Sequence, residues 1–130
     1  MKYNLWAILW GLFVIILLLL PGSVFPAVPG FLSLLNPDKI IHLFLFGTYF
    51  FLQFRGFRLQ AVFPGLRKNA FVIALSITFT LGAATELVQQ YYIPMRSGSV
   101  YDLMADMAGA LLGWIIAVKF KDTGSATGRV

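Results

Sequence analysis

The chain has 130 residues, of which 59% are hydrophobic and 12% are charged, whereas soluble domains average about 25% charged residues. It has no cysteine, which excludes disulfides and thiolate metal sites, and its net charge of +5 is not arranged in a basic helix or an aromatic-basic motif that would bind nucleic acid. This composition predicts one all-α membrane domain, residues 1–121, without a nucleic-acid partner.

Four apolar runs predict four transmembrane helices in a single bundle, over residues 4–20, 39–54, 70–92 and 102–120. The first run stops at Pro21, because the prolines and glycines that follow cannot continue a helix. A secretory signal peptide is the alternative for this run, but the run is long for such a segment, carries Trp6 and Trp10, and lacks a clear small-residue cleavage site. The stretch GFLSLL at residues 30–35 is too short to cross a bilayer, and we expect it to lie at the outer interface.

Basic residues predict the orientation of these helices. Eight of the ten lie before the first run, between the second and third, or after the fourth: Lys2, Arg55, Arg58, Arg67, Lys68, Lys119, Lys121 and Arg129. Because lysine and arginine favour the cytoplasmic side, both termini and the 55–68 connection are predicted to be cytoplasmic, with the 21–38 and 93–101 connections outside. Residues 122–130 are predicted to form a disordered polar tail.

Ionisable and amide side chains recur near the predicted outer end of three helices and in one loop. The second helix contributes Asp38, Lys39 and His42, the third Glu86 and Gln89, the fourth Asp102 and Asp106, and the loop Arg96. Each ionisable group within a span costs roughly 2.5 to 3.5 kcal/mol on insertion scales, so a cluster of them needs mutual pairing or a function. Since buried ion pairs are often no more stabilising than apolar packing, a functional pocket is favoured over structural pairing.

Small residues accompany these polar residues along the helices. Residues four apart share one face of a helix, so Gly109 and Gly113 continue the stripe of Asp102 and Asp106. Small residues at this spacing let neighbouring helices approach closely. Gly82, Gly109 and Gly113 therefore predict packing faces that carry the polar side chains into the bundle.

Three stretches in order resemble the VanZ-like family of membrane proteins: DKIIH from residue 38, ELVQQYYIPMRSGSVYD from residue 86, and DMAGALLG from residue 106. The matching positions are Asp38, Lys39, His42, Glu86, Gln89, Pro94, Arg96, Asp102, Asp106, Gly109 and Gly113. Two positions depart from the family pattern, since Asp106 stands where asparagine is usual and Phe46 where a tyrosine is common. The resemblance implies a multi-pass protein of the bacterial cytoplasmic membrane, from a family associated with resistance to the glycopeptide antibiotic teicoplanin.

The predicted function is to bind a lipid headgroup or a lipid-linked cell-wall precursor in an outward-facing polar pocket. The predicted binding residues are Asp38, Lys39, His42, Glu86, Gln89, Arg96, Asp102 and Asp106. Arg96 and Lys39 are expected to contact phosphate, because guanidinium and ammonium groups suit that anion, while Glu86, Gln89 and Asp102 are expected to hold sugar or amine groups.

Several alternatives use the same residues. An intramembrane enzyme acting on a lipid-linked phosphate or acyl group would use His42 as base, Glu86 or Asp106 to orient it, and Arg96 to stabilise negative charge, although no recognised nucleophile motif is present. A magnesium or manganese site of His42, Glu86, Asp102 and Asp106 is another, against a working expectation of no metal and no cofactor. A proton or ion pathway is disfavoured because the predicted cytoplasmic halves of the helices are almost without polar side chains. A purely structural cluster would instead direct attention to a membrane-protein partner.

Overall fold

The computed structural model describes residues 2–27, 29–30 and 37–125, with side chains for residues 3–27, 29–30 and 37–120. Four long helices make up most of this chain: α1 (Leu5–Leu18), α2 (Pro37–Leu59), α3 (Ala70–Tyr92) and α4 (Val100–Ser125). Short 3-10 helices lie at Lys2–Asn4 and Gly22–Val24, and a short α-helix lies at Pro64–Lys68. The described ranges contain no strand, which confirms the all-α prediction. Residues 31–35 of the predicted interfacial stretch lie outside the described residues.

Three helices are long and apolar enough to cross a membrane. α2 and α3 have 23 residues each and Val100–Phe120 of α4 has 21, with mean hydropathies of 1.3, 1.8 and 1.6. At about 1.5 Å per residue, each exceeds the roughly 30 Å of a bilayer core, which confirms the predicted helical membrane bundle. α1 is shorter than predicted, with 14 residues. It ends at Leu18 because Pro21 disfavours helical backbone at the residue before it.

α2 is longer than the predicted range of 39–54. It continues to Leu59, and the guanidinium carbons of Arg55 and Arg58 lie 5.5 and 5.9 Å from the ring centroids of Phe51 and Phe54, one turn earlier. A basic side chain can cover an aromatic ring with its charge directed outward, so these arginines extend the helix and do not end it. The sequence-based prediction assigned both arginines to the connecting loop because they are charged.

α4 also exceeds its predicted range of 102–120. It begins at Val100 and its backbone remains helical to Ser125, four residues into the segment that was expected to be a disordered tail. Residues 126–130 lie outside the described chain.

Glycines bring the backbones of α2 and α4 into direct contact. A Cβ on Gly47 would lie 2.9 Å from the carbonyl oxygen of Gly109, and a Cβ on Gly113 would overlap the carbonyl of Gly47. A Cβ on Gly109 would overlap the carbonyl of Leu43 in the same way. Since such distances exclude any side chain, these glycines set the separation and register of the two helices.

The remaining helices pack around this pair. The apolar core between α2, α3 and α4 contains Phe50, Phe54, Ala70, Ala74, Ala110 and Ala117, and a second core between α1 and α2 contains Val14, Leu18, Leu45 and Phe46. The indole N–H of Trp10 donates a hydrogen bond of 2.9 Å to the carbonyl of Leu45, which ties α1 to α2. α2 and α3 each contact all three of the other long helices.

The two ends of the bundle differ in their chemistry. We call the end where α2 and α4 begin and α3 ends the polar end, and the opposite end the basic end. A cavity of about 620 Å³ at the basic end has mainly apolar walls and four basic side chains, Arg55, Arg58, Arg67 and Lys68. None of the predicted site residues lines this cavity.

Candidate functional site

Helix register places three ionisable side chains at one depth below the polar end. His42 lies five residues after the start of α2, Asp106 six residues after the start of α4, and Glu86 six residues before the end of α3. At about 1.5 Å per residue, all three lie roughly 8–9 Å from their helix ends. We call His42, Glu86 and Asp106 the buried trio.

The buried trio is closely packed and shielded from solvent. His42 Nδ1 lies 2.8 Å from Asp106 Oδ1, a hydrogen bond, and 3.8 Å from Glu86 Oε1. The exposed fractions are 0% for His42 and Asp106 and 8% for Glu86. Leu43 follows His42 in α2, and Gly109 lies three residues after Asp106 in α4. The close approach of Gly109 to the Leu43 carbonyl therefore also brings His42 close to Asp106.

Two neighbours shape the positions of these side chains. A Cβ on Gly82 would lie 2.7 Å from Asp106 Oδ2, so the glycine in α3 makes room for the carboxylate from α4. On the other side of His42, the ring of Phe46 lies parallel to the imidazole, with centroids 6.1 Å apart. Phe46 is fully buried. It stands where the family commonly has tyrosine, and it offers His42 apolar contact but no hydroxyl.

The segment between α3 and α4 holds Glu86 through its backbone. The Ser99 N–H donates a hydrogen bond of 2.7 Å to Glu86 Oε2, and the Gly98 N–H donates one of 3.0 Å to the side chain of Gln90. Met95 has a positive φ of 59°, which turns the chain back toward α4. Ser99 also caps α4, because its hydroxyl accepts a hydrogen bond from the Tyr101 N–H.

An outer polar layer lies closer to the surface than the buried trio. Lys39 Nζ lies 3.3 Å from Asp102 Oδ1, and the Lys39 side chain is 40% exposed while Asp102 is almost fully buried. Asp38 is exposed, and it has a carboxylate oxygen within 4.8 Å of ligand atoms of His42 and Asp102. Polar groups thus continue from the surface down to the buried trio.

Two of the predicted site residues lie elsewhere. Arg96 places its guanidinium carbon 4.7 Å from the ring centroid of Phe25, and within the described residues it forms no ion pair with a carboxylate. Gln89 is buried and donates a hydrogen bond of 2.8 Å to the carbonyl of Leu18, which links α3 to the end of α1. The phosphate and sugar contacts expected of these two side chains stay predictions.

Sequence reasoning overlooked Gly47 and the backbone of Ser99. Gly47 could have been found, because it is the one glycine in the mainly apolar stretch between His42 and Gln53, and small residues mark close helix contacts. The Ser99 N–H carries no sequence signal, since any residue except proline supplies that donor.

The buried trio contains polar atoms that protein groups do not satisfy. Within the described chain, His42 Nε2, Glu86 Oε1 and Asp106 Oδ2 have no hydrogen-bond partner. A buried donor or acceptor without a partner costs about 1–3 kcal/mol, and more when it is charged. Such an arrangement is typical of a site that binds a ligand, a proton or a cation.

The fold and the site define a small helical membrane protein with buried ionisable groups near one end of its bundle. A family model described as VanZ/LLP1 matches residues 5–121, and the chain belongs to this family. The match spans the four long helices to residue 121 and includes the buried trio, which confirms the resemblance seen in the sequence. No curated protein and no solved structure matches the chain.

Proposed function

We propose that this VanZ/LLP1 protein binds the phosphate-containing headgroup of a membrane lipid or of a lipid-linked cell-wall precursor at its polar end. The observation that carries the proposal is the buried trio, where ionisable groups from three helices meet and keep unpartnered atoms. Apolar packing would join the helices at lower cost, so the polar groups are best accounted for by a polar ligand.

Residues around the polar end suit a ligand that is partly lipid. Lys39 is half-exposed and offers ammonium donors to a phosphate above Asp102. On the next turn of α2, three large apolar side chains are exposed, namely Ile40, Ile41 and Phe44. An acyl or prenyl chain can lie along this apolar surface while its headgroup reaches Lys39.

The predicted orientation determines which lipids reach the site. If the basic end faces the cytoplasm, as the distribution of lysine and arginine predicts, the polar end opens toward the outer leaflet. Headgroups of lipid-linked cell-wall precursors are exposed on that side, and glycopeptide antibiotics act there. We therefore extend the proposal to a contribution to teicoplanin resistance, the trait associated with the VanZ-like family.

Native mass spectrometry of detergent-purified protein tests the proposal. We expect wild type to retain a phosphate-containing lipid, and Glu86→Gln and Lys39→Ala each to retain much less of it. Arg67→Ala, which removes a basic side chain at the opposite end, is the matched control and should retain the wild-type amount. The mass of the retained species distinguishes a phospholipid from a lipid-linked precursor. Equal retention by all four proteins, or none by wild type, would contradict a headgroup site at the polar end.

A second candidate function is intramembrane hydrolysis of such a lipid. The hydrogen bond that the His42 Nδ1–H donates to Asp106 Oδ1 orients the imidazole and leaves Nε2 without a partner, which is the arrangement of a general base. In this reaction Nε2 accepts a proton from a water molecule whose oxygen bonds to the phosphorus or acyl carbon. The bond from that atom to the leaving oxygen breaks, and the imidazolium returns the proton to the leaving oxygen. Purified protein and the retained lipid should yield product that His42→Gln does not form. Retention without product would leave binding as the function.

A further inference from the structure

The net charge of the side chains at the polar end is unfavourable for a phosphate ligand. This end of the chain carries four carboxylates, those of Asp38, Glu86, Asp102 and Asp106, and two cationic side chains, Lys39 and Arg96. Four negative and two positive charges leave a formal charge of −2 with histidine neutral. Arg96 lies on Phe25 and Lys39 is already paired with Asp102, so an incoming phosphate meets net repulsion.

We propose that the buried trio binds a divalent cation through His42, Glu86 and Asp106. The bound cation then attracts the phosphate of the ligand, and this second step rests on the proposed function. A cation of charge +2 neutralises the two carboxylates of the trio, where removal from water makes uncompensated charge expensive.

The distances within the trio agree with ligands around one ion. Each of the three residues offers a ligand atom, and these atoms all lie within 4.8 Å of one another. Metal bonds of about 2.0–2.2 Å at angles between about 90° and 109° separate neighbouring ligand atoms by roughly 2.8–3.6 Å. The measured separations from His42 Nδ1, 2.8 Å to Asp106 Oδ1 and 3.8 Å to Glu86 Oε1, lie close to this range.

Glu86 provides an independent sign of a ligand. Its side chain is only 9% exposed, and its Oε1 points toward His42 Nδ1 from a distance too long for a hydrogen bond. Within the described residues nothing donates a hydrogen bond to Oε1, although the Ser99 N–H fixes Oε2 of the same carboxylate. The carboxylate is thus held in place with one oxygen directed into the trio and available to a cation.

The donor set indicates the class of cation. One imidazole nitrogen with two carboxylates is rich in oxygen, which suits manganese or magnesium better than a structural zinc with thiolate and imidazole ligands. Three protein ligands leave coordination positions open, so a phosphate oxygen can complete the shell. Manganese is the convenient probe because it is paramagnetic.

Mn²⁺ binding to the purified full-length protein tests this site directly. After EDTA treatment and desalting, we expect titration followed by the EPR signal of free Mn²⁺ to show one bound ion per chain. Glu86→Gln and Asp106→Asn should each weaken binding at least about tenfold, since even residues behind the ligands typically change affinity 10- to 100-fold. Asp38→Asn is the matched control and should change affinity less than about threefold.

The outcomes separate this site from its neighbour. Asp38, His42 and Asp102 form a second group with ligand atoms within 4.8 Å of one another. Mn²⁺ binding that is lost in Asp38→Asn but kept in Glu86→Gln would overturn the assignment to the buried trio, as would no binding by wild type. Should Asp106→Asn fail to fold, Glu86→Gln decides, because glutamine retains an oxygen for the Ser99 N–H.

The cation and the headgroup are tested separately. Lipid retained by a chain that binds no Mn²⁺ would overturn the cation site and leave the headgroup proposal standing. Mn²⁺ bound by a chain that retains no lipid would support the cation site and contradict the headgroup proposal. Lipid retention that EDTA removes and Mn²⁺ restores would support the cation as the bridge to phosphate.

Discussion

Gly113→Ala tests whether direct backbone contact between α2 and α4 sets the geometry of the candidate site. A Cβ on Gly113 would overlap the carbonyl of Gly47, and a Cβ on Gly47 would lie 2.9 Å from the Gly109 oxygen. Ordinary carbon–oxygen contacts lie near 3.4 Å, and backbone atoms cannot rotate away, so the helices must separate by about 0.5 Å or more. Overpacking of this kind costs about 1–3 kcal/mol, which we expect as the loss in unfolding free energy.

SDS titration in mixed micelles, followed by tryptophan fluorescence, measures this loss. The matched control is Gly65→Ala in the short helix Pro64–Lys68, where a Cβ would meet nothing within 4 Å. Alanine exceeds glycine in helix propensity by about 1 kcal/mol, so the control should be unchanged or slightly stabilised. If the unfolding free energy of Gly113→Ala lies within about 0.5 kcal/mol of the wild-type value, then close contact at this glycine does not hold α2 against α4.

Three further substitutions test individual contacts by the same unfolding measurement. Gly82→Ala should lower the unfolding free energy by about 1–3 kcal/mol because its Cβ displaces the Asp106 carboxylate, and a neutral result would mean that this carboxylate moves freely. Gln89→Ala should lower the unfolding free energy by about 1–3 kcal/mol, because it leaves the buried Leu18 carbonyl of α1 without its hydrogen-bond donor. Gln90→Ala removes an exposed hydrogen bond and should lower the unfolding free energy by less than half as much, and equal losses would show that burial of the hydrogen bond does not matter. Ser99→Ala should cost about 1 kcal/mol by removing the α4 cap, and a loss above about 3 kcal/mol would show that the hydroxyl has another role.

Helix boundaries could be predicted from the sequence where a residue that disfavours helix, such as proline, follows the boundary closely. The third predicted helix, residues 70–92, coincides with α3, Ala70–Tyr92, because Pro94 follows its end closely. α2 was underestimated at its end because arginines were assigned to the loop, and their contacts with Phe51 and Phe54 cannot be recognised from charge alone. Charge predicts where a side chain is directed more reliably than where a helix stops.

The grouping of polar residues at one end also followed from the sequence. Distance from a helix end depends only on residue count, so His42, Glu86 and Asp106 could be assigned to the same depth before their partners were known. Their roles in binding or catalysis stay predictions. The stripe of Gly109 and Gly113 similarly indicated a packing face, because its spacing is a local property of the helix.

Only the tertiary structure decided which groups meet. It pairs His42 with Asp106, and it directs Gln89 to an α1 carbonyl and Arg96 to an aromatic ring. A hydrogen bond near 2.8 Å depends on which helices are neighbours and on their rotation to within a fraction of an ångström. The sequence of one helix does not specify how its neighbour is rotated about its axis. That rotation arises here from contacts such as Gly47 against Gly109. Composition and periodicity therefore determined the membrane helices and their polar end, whereas packing between the helices determined which side chains meet in the site.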